Sequence, residues 1–311
     1  MGGPAKQADV APFLFNLFSD REIIKLGPPF LQKLIAWFIS RKRSKKSRNI
    51  YAKIGGGSPL LAISRDQAAA LGQSLAGENN YIVTVAMRYW APFAHEVVEE
   101  LVEQGVDSII ALPLYPHFSK ATTGSSLSHL QKSLEKLAPD IPFKMISSYP
   151  TQSSYIDAIA ENIEKGVQQF NTDDVEIVYS AHSLPISFIE GGDPYVEQIN
   201  QTIDTLEKIT QRKGKLCYQS RSGPVEWLSP STPEMLEKLA HEGCKNILMV
   251  PISFVSDHVE TLYEINMLYK EQAKELNMRL IGCESLNTNP LYIRCLKELV
   301  LETQSQGQGN C

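Results

Sequence analysis

From residue 81 onward, short apolar runs alternate with longer segments in which apolar residues recur at spacings of three and four. The short runs predict strands covered on both faces, and the longer segments predict amphipathic helices. The predicted strands are 81–87, 108–115, 143–148, 175–180 and 247–254, and the predicted helices are 93–104, 125–137 and 155–170. Strands that alternate with helices of this length indicate parallel β-α-β units and an α/β fold.

The helix and strand that follow residue 92 recur 138 residues later in the chain. The identical pairs are Pro92 and Pro230, Glu96 and Glu234, Glu99 and Glu237, Leu101 and Leu239, Gly105 and Gly243, Ile109 and Ile247, and Pro113 and Pro251. We therefore expect two similar α/β halves that face a shared cleft, because ligand clefts favour domain interfaces. The expected domains are residues 1–150 and 151–285. Residues 286–311 are expected to form a helix that packs back on the N-terminal half and ends in a disordered tail.

Two apolar segments of helical spacing precede residue 81. The first carries Val10, Phe13, Leu14, Leu17 and Phe18, followed by Ile23 and Ile24, and such a stripe is more often core than ligand surface. The second, 29–39, runs into the basic stretch 41–48. It is either an apolar lip whose cations hold anionic ligand groups or lipid headgroups, or a packed helix that ends in a solvated basic loop. The opening turn, 1–4, normally follows a strand, so we expect a strand ahead of it.

The candidate chemistry lies at the carboxyl ends of two predicted strands. Asp257, Glu260, Glu264 and Glu271 follow the strand at 247–254, and their spacing places the four carboxylates on one face of a helix for which Ser256-Asp257 looks like the N-cap. His182 follows the strand at 175–180. An imidazole beside carboxylates can pass protons near neutral pH or hold a divalent cation loosely. The alternatives are a solvated acidic face and a structural histidine.

Composition removes several classes of function. The 311 residues carry a net charge of −5, which gives no general reason to expect nucleic acid binding. The five cysteines show no CxxC spacing, which argues against a disulfide framework or a cysteine-rich metal site and favours a reducing compartment. No apolar run reaches the roughly 18 residues of a membrane-spanning helix. No spacing indicates a Ser-His-Asp triad.

The aromatic residues Tyr89, Trp90, Trp227 and Phe254 could clamp a planar ligand.

Several motifs together resemble the ferrochelatase family over essentially the whole chain. They include Met1-Gly-Gly-Pro4, Ile54-Gly-Gly-Gly-Ser-Pro59, Thr122-Thr-Gly-Ser-Ser126, Ser180-Ala-His-Ser-Leu-Pro185 and Ser256-Asp-His-Val-Glu-Thr-Leu-Tyr-Glu264. The resemblance implies two similar Rossmann-like domains with parallel four-stranded sheets flanked by helices. It also implies a lyase of the EC 4.98.1.1 type that inserts Fe²⁺ into protoporphyrin IX, the last step of haem biosynthesis. By position, His182 matches the family's catalytic histidine and Glu260 its metal-handling glutamate, whereas Asp257, His258 and Glu264 match the polar residues around them. We expect His182 and Glu260 to be catalytic, and His182, Glu260, Glu264 and Asp257 to handle the metal.

The same resemblance and the apolar pattern supply a set of expected porphyrin contacts. They are Met1, Phe13, Leu14, Leu17, Phe18, Ile24, Arg43, Tyr51, Ser58, Arg88, Tyr89, Tyr115, Trp227, Phe254 and His258. Within this set, Arg43, Tyr51 and Ser58 match positions that hold propionates. The apolar lip favours protoporphyrin IX over coproporphyrin III. A chelatase for cobalt or nickel and a non-catalytic tetrapyrrole carrier are the alternatives.

Some members of the resembled family hold a [2Fe–2S] cluster through a C-terminal cysteine trio and one internal cysteine. Here the internal position matches Lys120, and the tail offers only Cys311. We therefore expect no cluster and no tightly bound cofactor, with Fe²⁺ as a substrate. The expected location is cytoplasmic, with residues 29–43 as a candidate for peripheral membrane contact, and the protein is expected to be a monomer or homodimer.

Overall fold

The computed structural model describes residues 1–221, 223 and 225–306, and it has the predicted α/β organisation. The strands are β1 Ile109–Ala111, β2 Phe143–Met145, β3 Glu176–His182, β4 Gly214–Gln219, β5 Asn246–Val250 and β6 Arg279–Gly282. The α-helices are α1 Val10–Ser19, α2 Gln32–Lys53, α3 Leu60–Ser74, α4 Ala94–Glu103, α5 Ser125–Leu137, α6 Ser153–Gln168, α7 Ile186–Glu190, α8 Tyr195–Thr210, α9 Thr232–His241, α10 Lys270–Glu275 and α11 Pro290–Ser305. Two π-helical segments, Lys120–Gly124 and Glu260–Tyr269, lie directly before α5 and α10.

The chain divides into two compact units. The C-terminal unit contains Tyr115–His117 and Tyr149–Cys295, and the N-terminal unit contains Met1–Leu114, Phe118–Ser148 and the chain from Leu296 onward. The helix α11 therefore contributes residues to both units. Helix α11 extends to Ser305, and the expected tail falls on residues 307–311, which lie outside the described chain.

The C-terminal unit is built on the predicted four-stranded parallel sheet, in the order β4-β3-β5-β6. Its two central strands are almost continuously buried, which explains their unbroken apolar sequence. Helices α9 and α10 contribute Leu236, Leu239 and Ala273 to the core on one face of this sheet. The two central strands are therefore held rigidly, and their carboxyl ends are fixed points for side chains.

The N-terminal unit has a smaller sheet than expected. Among the residues that the structure describes, this unit has one parallel ladder, between β1 and β2, so the prediction of four strands here was wrong. The predicted strand at 81–87 pairs with no strand among the described residues, and Met87 makes a single bridge to Phe93. Side chains from 81 to 86 alternate between half-buried and exposed, as on a sheet edge. The apolar alternation was recognised correctly, but a ladder also needs a neighbouring strand.

The basic stretch 41–48 is helical, because α2 continues unbroken from Gln32 to Lys53. The alternative in which a packed apolar helix ends in a basic loop was therefore wrong. Helix α1 packs against α2 and buries Phe13, Leu14 and Phe18. Since arginine and lysine have good helix propensity, the charges continue the helix rather than end it.

The internal repeat is present in the structure of the two units. Helix α9 begins and ends 138 residues after α4, and both helices begin with the same capping arrangement. The backbone N–H of Phe93 donates to Glu96 at 2.6 Å, and that of Ser231 donates to Glu234 at 2.6 Å. In both units a π-helical segment follows the next strand. The similarity of the halves predicted from sequence is thus confirmed at the level of local structure.

Among the described residues, no helix combines the length and apolarity needed to cross a membrane.

Candidate active site

His182 is the last residue of β3, and its backbone is held on both sides. Its N–H donates to Ser253 Oγ at 3.0 Å, and its carbonyl accepts from Tyr195 Oη at 3.0 Å. Strand β3 pairs with β4 as far as His182 itself and with β5 on its other edge. The position of the imidazole is therefore set by the rigid centre of the sheet.

Glu260 lies beside this imidazole. Its Oε2 is 2.8 Å from His182 Nδ1, and the side chains are 17% and 36% exposed, respectively. Although burial lowers the pKa of His182, the adjacent Glu260 carboxylate raises it above its usual value. Burial raises the pKa of Glu260, but the His182 charge and hydrogen bond outweigh this and hold it low. The contact therefore raises the proton affinity of His182 while Glu260 stays ionised.

Glu264 is the third ionisable side chain of this site, and its pKa is shifted in the opposite direction from that of Glu260. Its Oε2 accepts hydrogen bonds from Ser220 Oγ at 2.6 Å and Gln219 Nε2 at 3.0 Å. Burial and the nearby Glu260 carboxylate raise the pKa of Glu264 to about 7. The pKa values of the two neighbouring glutamates are therefore shifted in opposite directions. Glu260 is ionised, and Glu264 is able to hold a proton near neutral pH.

Asp257 differs from the sequence prediction. Its carboxylate accepts hydrogen bonds from Thr261 and Ser285 through Oδ1 and from Asn287 through Oδ2. It caps no backbone N–H of the following helix, which is π-helical from Glu260 rather than α-helical. The predicted face of four carboxylates assumed α-helical spacing and an N-cap at 256–257, and both assumptions were wrong. Side chains of the loop after β6 occupy both Asp257 oxygens.

Phe254 and His258 lie next to His182 and Glu260. The ring of Phe254 lies 6.3 Å from that of His182 and 4.5 Å from that of His258, measured between centroids. His258 Nδ1 lies 3.0 Å from the Ser256 carbonyl, so Nδ1 is the protonated nitrogen of the neutral ring. Burial lowers the pKa of His258 below its usual value. Of the predicted residues, the structure brings together His182, Phe254, His258, Glu260 and Glu264.

No group of three or more His, Cys, Asp or Glu side chains in the described chain is arranged to hold a metal ion. The pair His182 and Glu260 offers two donor side chains. A metal held by so few protein ligands keeps several open positions, which suits an ion in transit and not a structural ion.

Trp227 lies near the end of β3 through backbone pairing. It bridges Pro185 in antiparallel fashion, and the adjacent Leu228 N–H donates to the Leu184 carbonyl at 3.0 Å. Its indole Nε1 is buried and has no partner among the described residues. Tyr115, also in this unit, is half-buried.

The remaining expected contacts lie in the N-terminal unit, and several are not accessible. Side chains buried there are Phe13, Leu14, Phe18, Tyr51 and Tyr89, so they line no open surface in this structure. The helical stripe on α1 forms core, as is usual for such a pattern. Side chains that remain at least partly accessible are Met1, Leu17, Ile24, Arg43, Ser58 and Arg88. The exposed apolar surface of this region comes from Phe30, Leu34, Trp37 and Phe38 instead.

Sequence reasoning assigned no role to the residues that hold His182 and Glu264 in place. Gln219 and Ser220 hold Glu264, whereas Tyr195 and Ser253 hold the backbone of His182. The sequence could have indicated Gln219 and Ser220, because they lie at the end of β4, at the same sheet edge as His182. Tyr195 belongs to α8, and no local pattern predicts its contact.

Comparison with known proteins identifies the family. A profile of the ferrochelatase family matches residues 1–304. The chain is 59% identical to the ferrochelatase of Desulfotalea psychrophila over 97% of this chain and 95% of that protein. It is 44% identical to the ferrochelatase of Synechococcus elongatus over 98% of this chain and 81% of that protein.

Solved structures support the same fold. SirB from Bacillus subtilis with Fe³⁺ aligns with a TM-score of 0.55 at 13% identity, covering 79% of this chain and 92% of that one. CbiX, the terminal enzyme for biosynthesis of siroheme in denitrifying bacteria, aligns with a TM-score of 0.54 at 11% identity, covering 78% and 92%. At these identities the likeness concerns fold alone, and it agrees with two Rossmann-like domains of the chelatase type. By its sequence over almost its whole length, the chain belongs to the ferrochelatase family.

Proposed function

We propose that this protein inserts Fe²⁺ into protoporphyrin IX, releases two protons and forms protohaem in the last step of haem biosynthesis. The family makes it an enzyme of the ferrochelatase type, a lyase that inserts a metal into a porphyrin. The choice of iron and of protoporphyrin IX is our proposal. The observation that carries it is the 2.8 Å contact between His182 and Glu260 at the end of β3.

The chemistry begins with proton removal. A free-base porphyrin carries two pyrrole protons that block the metal, so a base must accept them. When His182 is neutral and its Nδ1–H donates to Glu260, Nε2 carries the free lone pair. The Glu260 carboxylate stabilises the imidazolium that forms, which makes His182 a stronger base.

The two glutamates then have separate tasks. Glu260 stays ionised and can bind Fe²⁺ or stabilise the positive charge of the protonated His182. Glu264, with its pKa raised to about 7, can take up and release a proton near neutral pH. We propose that Glu260 and Glu264 move iron or protons. Asp257 is a weaker candidate because Thr261, Ser285 and Asn287 already occupy its oxygens.

Binding of the ring is assigned to apolar and aromatic side chains. Phe254, Trp227 and Met1 are the candidates for walls that bend the macrocycle, since a bent ring exposes the nitrogen lone pairs. Binding a distorted ring favours the transition state over the flat substrate. Arg43 and Ser58 are candidates for propionate contacts, and Tyr51 must first become accessible because it is buried here.

The porphyrin side chains distinguish the two candidate substrates. Protoporphyrin IX has two propionates and a mostly apolar rim, whereas coproporphyrin III has four propionates. The exposed apolar residues before and along α2, including Phe30 and Phe38, favour the apolar rim. A related chelatase for Co²⁺ or Ni²⁺ and a non-catalytic carrier are the other candidates, and the pair His182 and Glu260 argues against the carrier.

An anaerobic assay with Fe²⁺ and each porphyrin in parallel tests reaction and substrate together. We expect metal insertion with a higher kcat/KM for protoporphyrin IX. A preference for coproporphyrin III would reverse the substrate assignment, and faster insertion of Co²⁺ or Ni²⁺ would reverse the metal assignment. Tight porphyrin binding without insertion of any metal would establish a carrier.

We also propose that the protein holds no iron–sulfur cluster, because Lys120 occupies the matching internal position. An iron–sulfur absorption band in anaerobically purified protein would contradict this.

A further inference from the structure

Asp20, directly after α1, gathers three side chains of the N-terminal unit on one carboxylate oxygen. Its Oδ2 accepts hydrogen bonds from Tyr89 Oη at 2.6 Å, Arg88 Nη2 at 2.8 Å and Ser125 Oγ at 3.0 Å. Its Oδ1 accepts the backbone N–H of Glu22 at 2.9 Å. The Asp20 side chain is only 8% exposed. Sequence reasoning gave Asp20 no role.

Arg88 is held by two of its three nitrogens. Nη2 donates to Asp20, and Nε donates to Ser125 Oγ at 3.0 Å. Its guanidinium carbon also lies 5.0 Å from the centre of the Tyr89 ring. The third nitrogen, Nη1, has no hydrogen-bond partner within the described ranges. The side chain is thus fixed, and one pair of N–H donors is uncommitted.

The carboxylate of this cluster stays ionised. Burial raises the pKa of Asp20, but the hydrogen bond from Tyr89, the Glu22 N–H and the Arg88 charge outweigh it, so the pKa lies below its usual value. A long arginine side chain loses much rotamer entropy when it is ordered, and a partly buried ion pair contributes little net stability. An arrangement of three donors on one oxygen is therefore better explained by fixed geometry than by stability alone.

In both units, a backbone N–H bonds to the carbonyl of the repeated proline, and the next two residues bind a carboxylate. The N–H of Met87 donates to the Pro92 carbonyl at 2.7 Å, just as that of Tyr218 donates to the Pro230 carbonyl at 2.9 Å. The two residues after Met87 are Arg88 and Tyr89, which bind Asp20. The two residues after Tyr218 are Gln219 and Ser220, and these bind Glu264.

We propose that Asp20 is a positioning residue, which fixes the Arg88 guanidinium so that its free Nη1 can donate to the bound porphyrin. This rests on the proposed function, in which Arg88 is a contact of the macrocycle. Without the carboxylate, Arg88 keeps its charge but loses its orientation. Misplacement of such a group costs affinity or rate although no residue that touches the porphyrin has changed.

A double-mutant cycle tests the proposal. The variants are Asp20→Asn, Arg88→Ala and their combination, and the matched control is Glu22→Gln, which alters the exposed pair with Lys132. Asparagine keeps an acceptor for the hydroxyl groups but removes the charge. We expect Asp20→Asn to lower kcat/KM for the porphyrin about tenfold, and Glu22→Gln to leave it unchanged. The combined variant should lose no more than Arg88→Ala alone.

A structural role would give a different result. Independent, additive losses in the double variant, or wild-type kinetics in Asp20→Asn, would overturn the proposal. If Asp20→Asn does not fold, Ser125→Ala removes the second partner of Arg88 and should give a smaller loss that disappears in the Arg88→Ala background; persistence of that loss would overturn it.

Failure of the proposed function would look different again. Wild-type protein that binds porphyrin but inserts no metal contradicts the proposed reaction, and the same cycle is then read from affinities by porphyrin fluorescence titration. Wild-type protein with normal insertion and no coupling between Asp20 and Arg88 contradicts the positioning role alone.

Discussion

His182 Nδ1 lies 2.8 Å from Glu260 Oε2 although 78 residues separate the two in sequence. Strand β3 carries the histidine to the carboxyl edge of the sheet, and the glutamate follows the neighbouring strand β5. Ligand sites of open α/β sheets form at this edge. The contact makes one acid–base unit of two residues that come from adjacent strands.

Loss of His182 should abolish chemistry and spare binding. We expect His182→Ala to lower kcat for metal insertion by at least about a hundredfold, because a positioned base contributes on this scale. Porphyrin affinity, measured by fluorescence titration, should stay close to that of the wild type. The control is His241→Ala, an exposed position at the end of α9. Near-normal turnover in His182→Ala would refute its role as the base.

Glu264 should make stability depend on pH. Its pKa is raised from 4.5 to about 7, so the folded protein keeps a proton in this window that the unfolded chain has lost. The free energy of unfolding therefore falls as pH rises through the window. Glu264→Gln retains an acceptor for Ser220 and cannot ionise. In this variant, the decrease in the free energy of unfolding with rising pH should be smaller than in the wild type by on the order of 2 kcal/mol. Urea unfolding at several pH values measures the difference.

The control for this comparison is Glu271→Gln, an exposed position on α10. It should keep the pH dependence of the wild type. A Glu264→Gln variant whose stability falls as steeply as that of the wild type would show that Glu264 has an ordinary pKa.

Close packing of α6 on the sheet predicts a sharp difference between two glycines. A Cβ on Gly166 would lie 2.6 Å from Leu248 Cδ1, and Leu248 is fully buried. Gly166→Ala should therefore lower the free energy of unfolding by about 1–3 kcal/mol through overpacking. A Cβ on Gly72 in α3 would make ordinary contacts with the Val83 side chain, at 3.8 Å from Cγ2 and 3.9 Å from Cβ. Gly72→Ala should raise stability by about 0.5–1 kcal/mol, because alanine favours the helix. Equal effects of the two substitutions in urea unfolding would contradict this.

The exposed apolar residues around the start of α2 predict binding to anionic membranes. Phe30 is 82% exposed and Phe38 is 59% exposed, and both lie near the basic residues of α2. A surface of this kind inserts its apolar side chains and attracts lipid headgroups. We expect co-sedimentation with vesicles that contain anionic lipid, weakened by salt and by the double substitution Phe30→Ser and Phe38→Ser. The exposed Ile209→Ser serves as control, and absence of binding at low salt would exclude the contact.

Sequence was sufficient to predict that His182 and Glu260 lie together, but not what surrounds them. His182 and Glu260 were predictable because apolar runs marked two parallel strands whose carboxyl ends lie at one edge. The π-helical turn at Glu260 could not be predicted, since helical spacing alone does not reveal an additional residue per turn. The hydrogen bonds that occupy Asp257 could not be predicted for that reason. The burial of Phe13 and Phe18 could not be predicted either, because an apolar stripe has the same pattern whether it faces a ligand or α2.

The segment 81–87, which pairs with no strand in the described part of the chain, affects how the protein behaves at high concentration. Its seven residues include no charge, proline or glycine, and four of them are Ile82, Val83, Thr84 and Val85. Such a composition is typical of segments that build intermolecular sheets, and an uncovered edge is a template for another molecule's strand. Self-association is therefore expected to grow with concentration and heating. A lysine at the exposed Thr84 would act as a gatekeeper against it and improve colloidal stability.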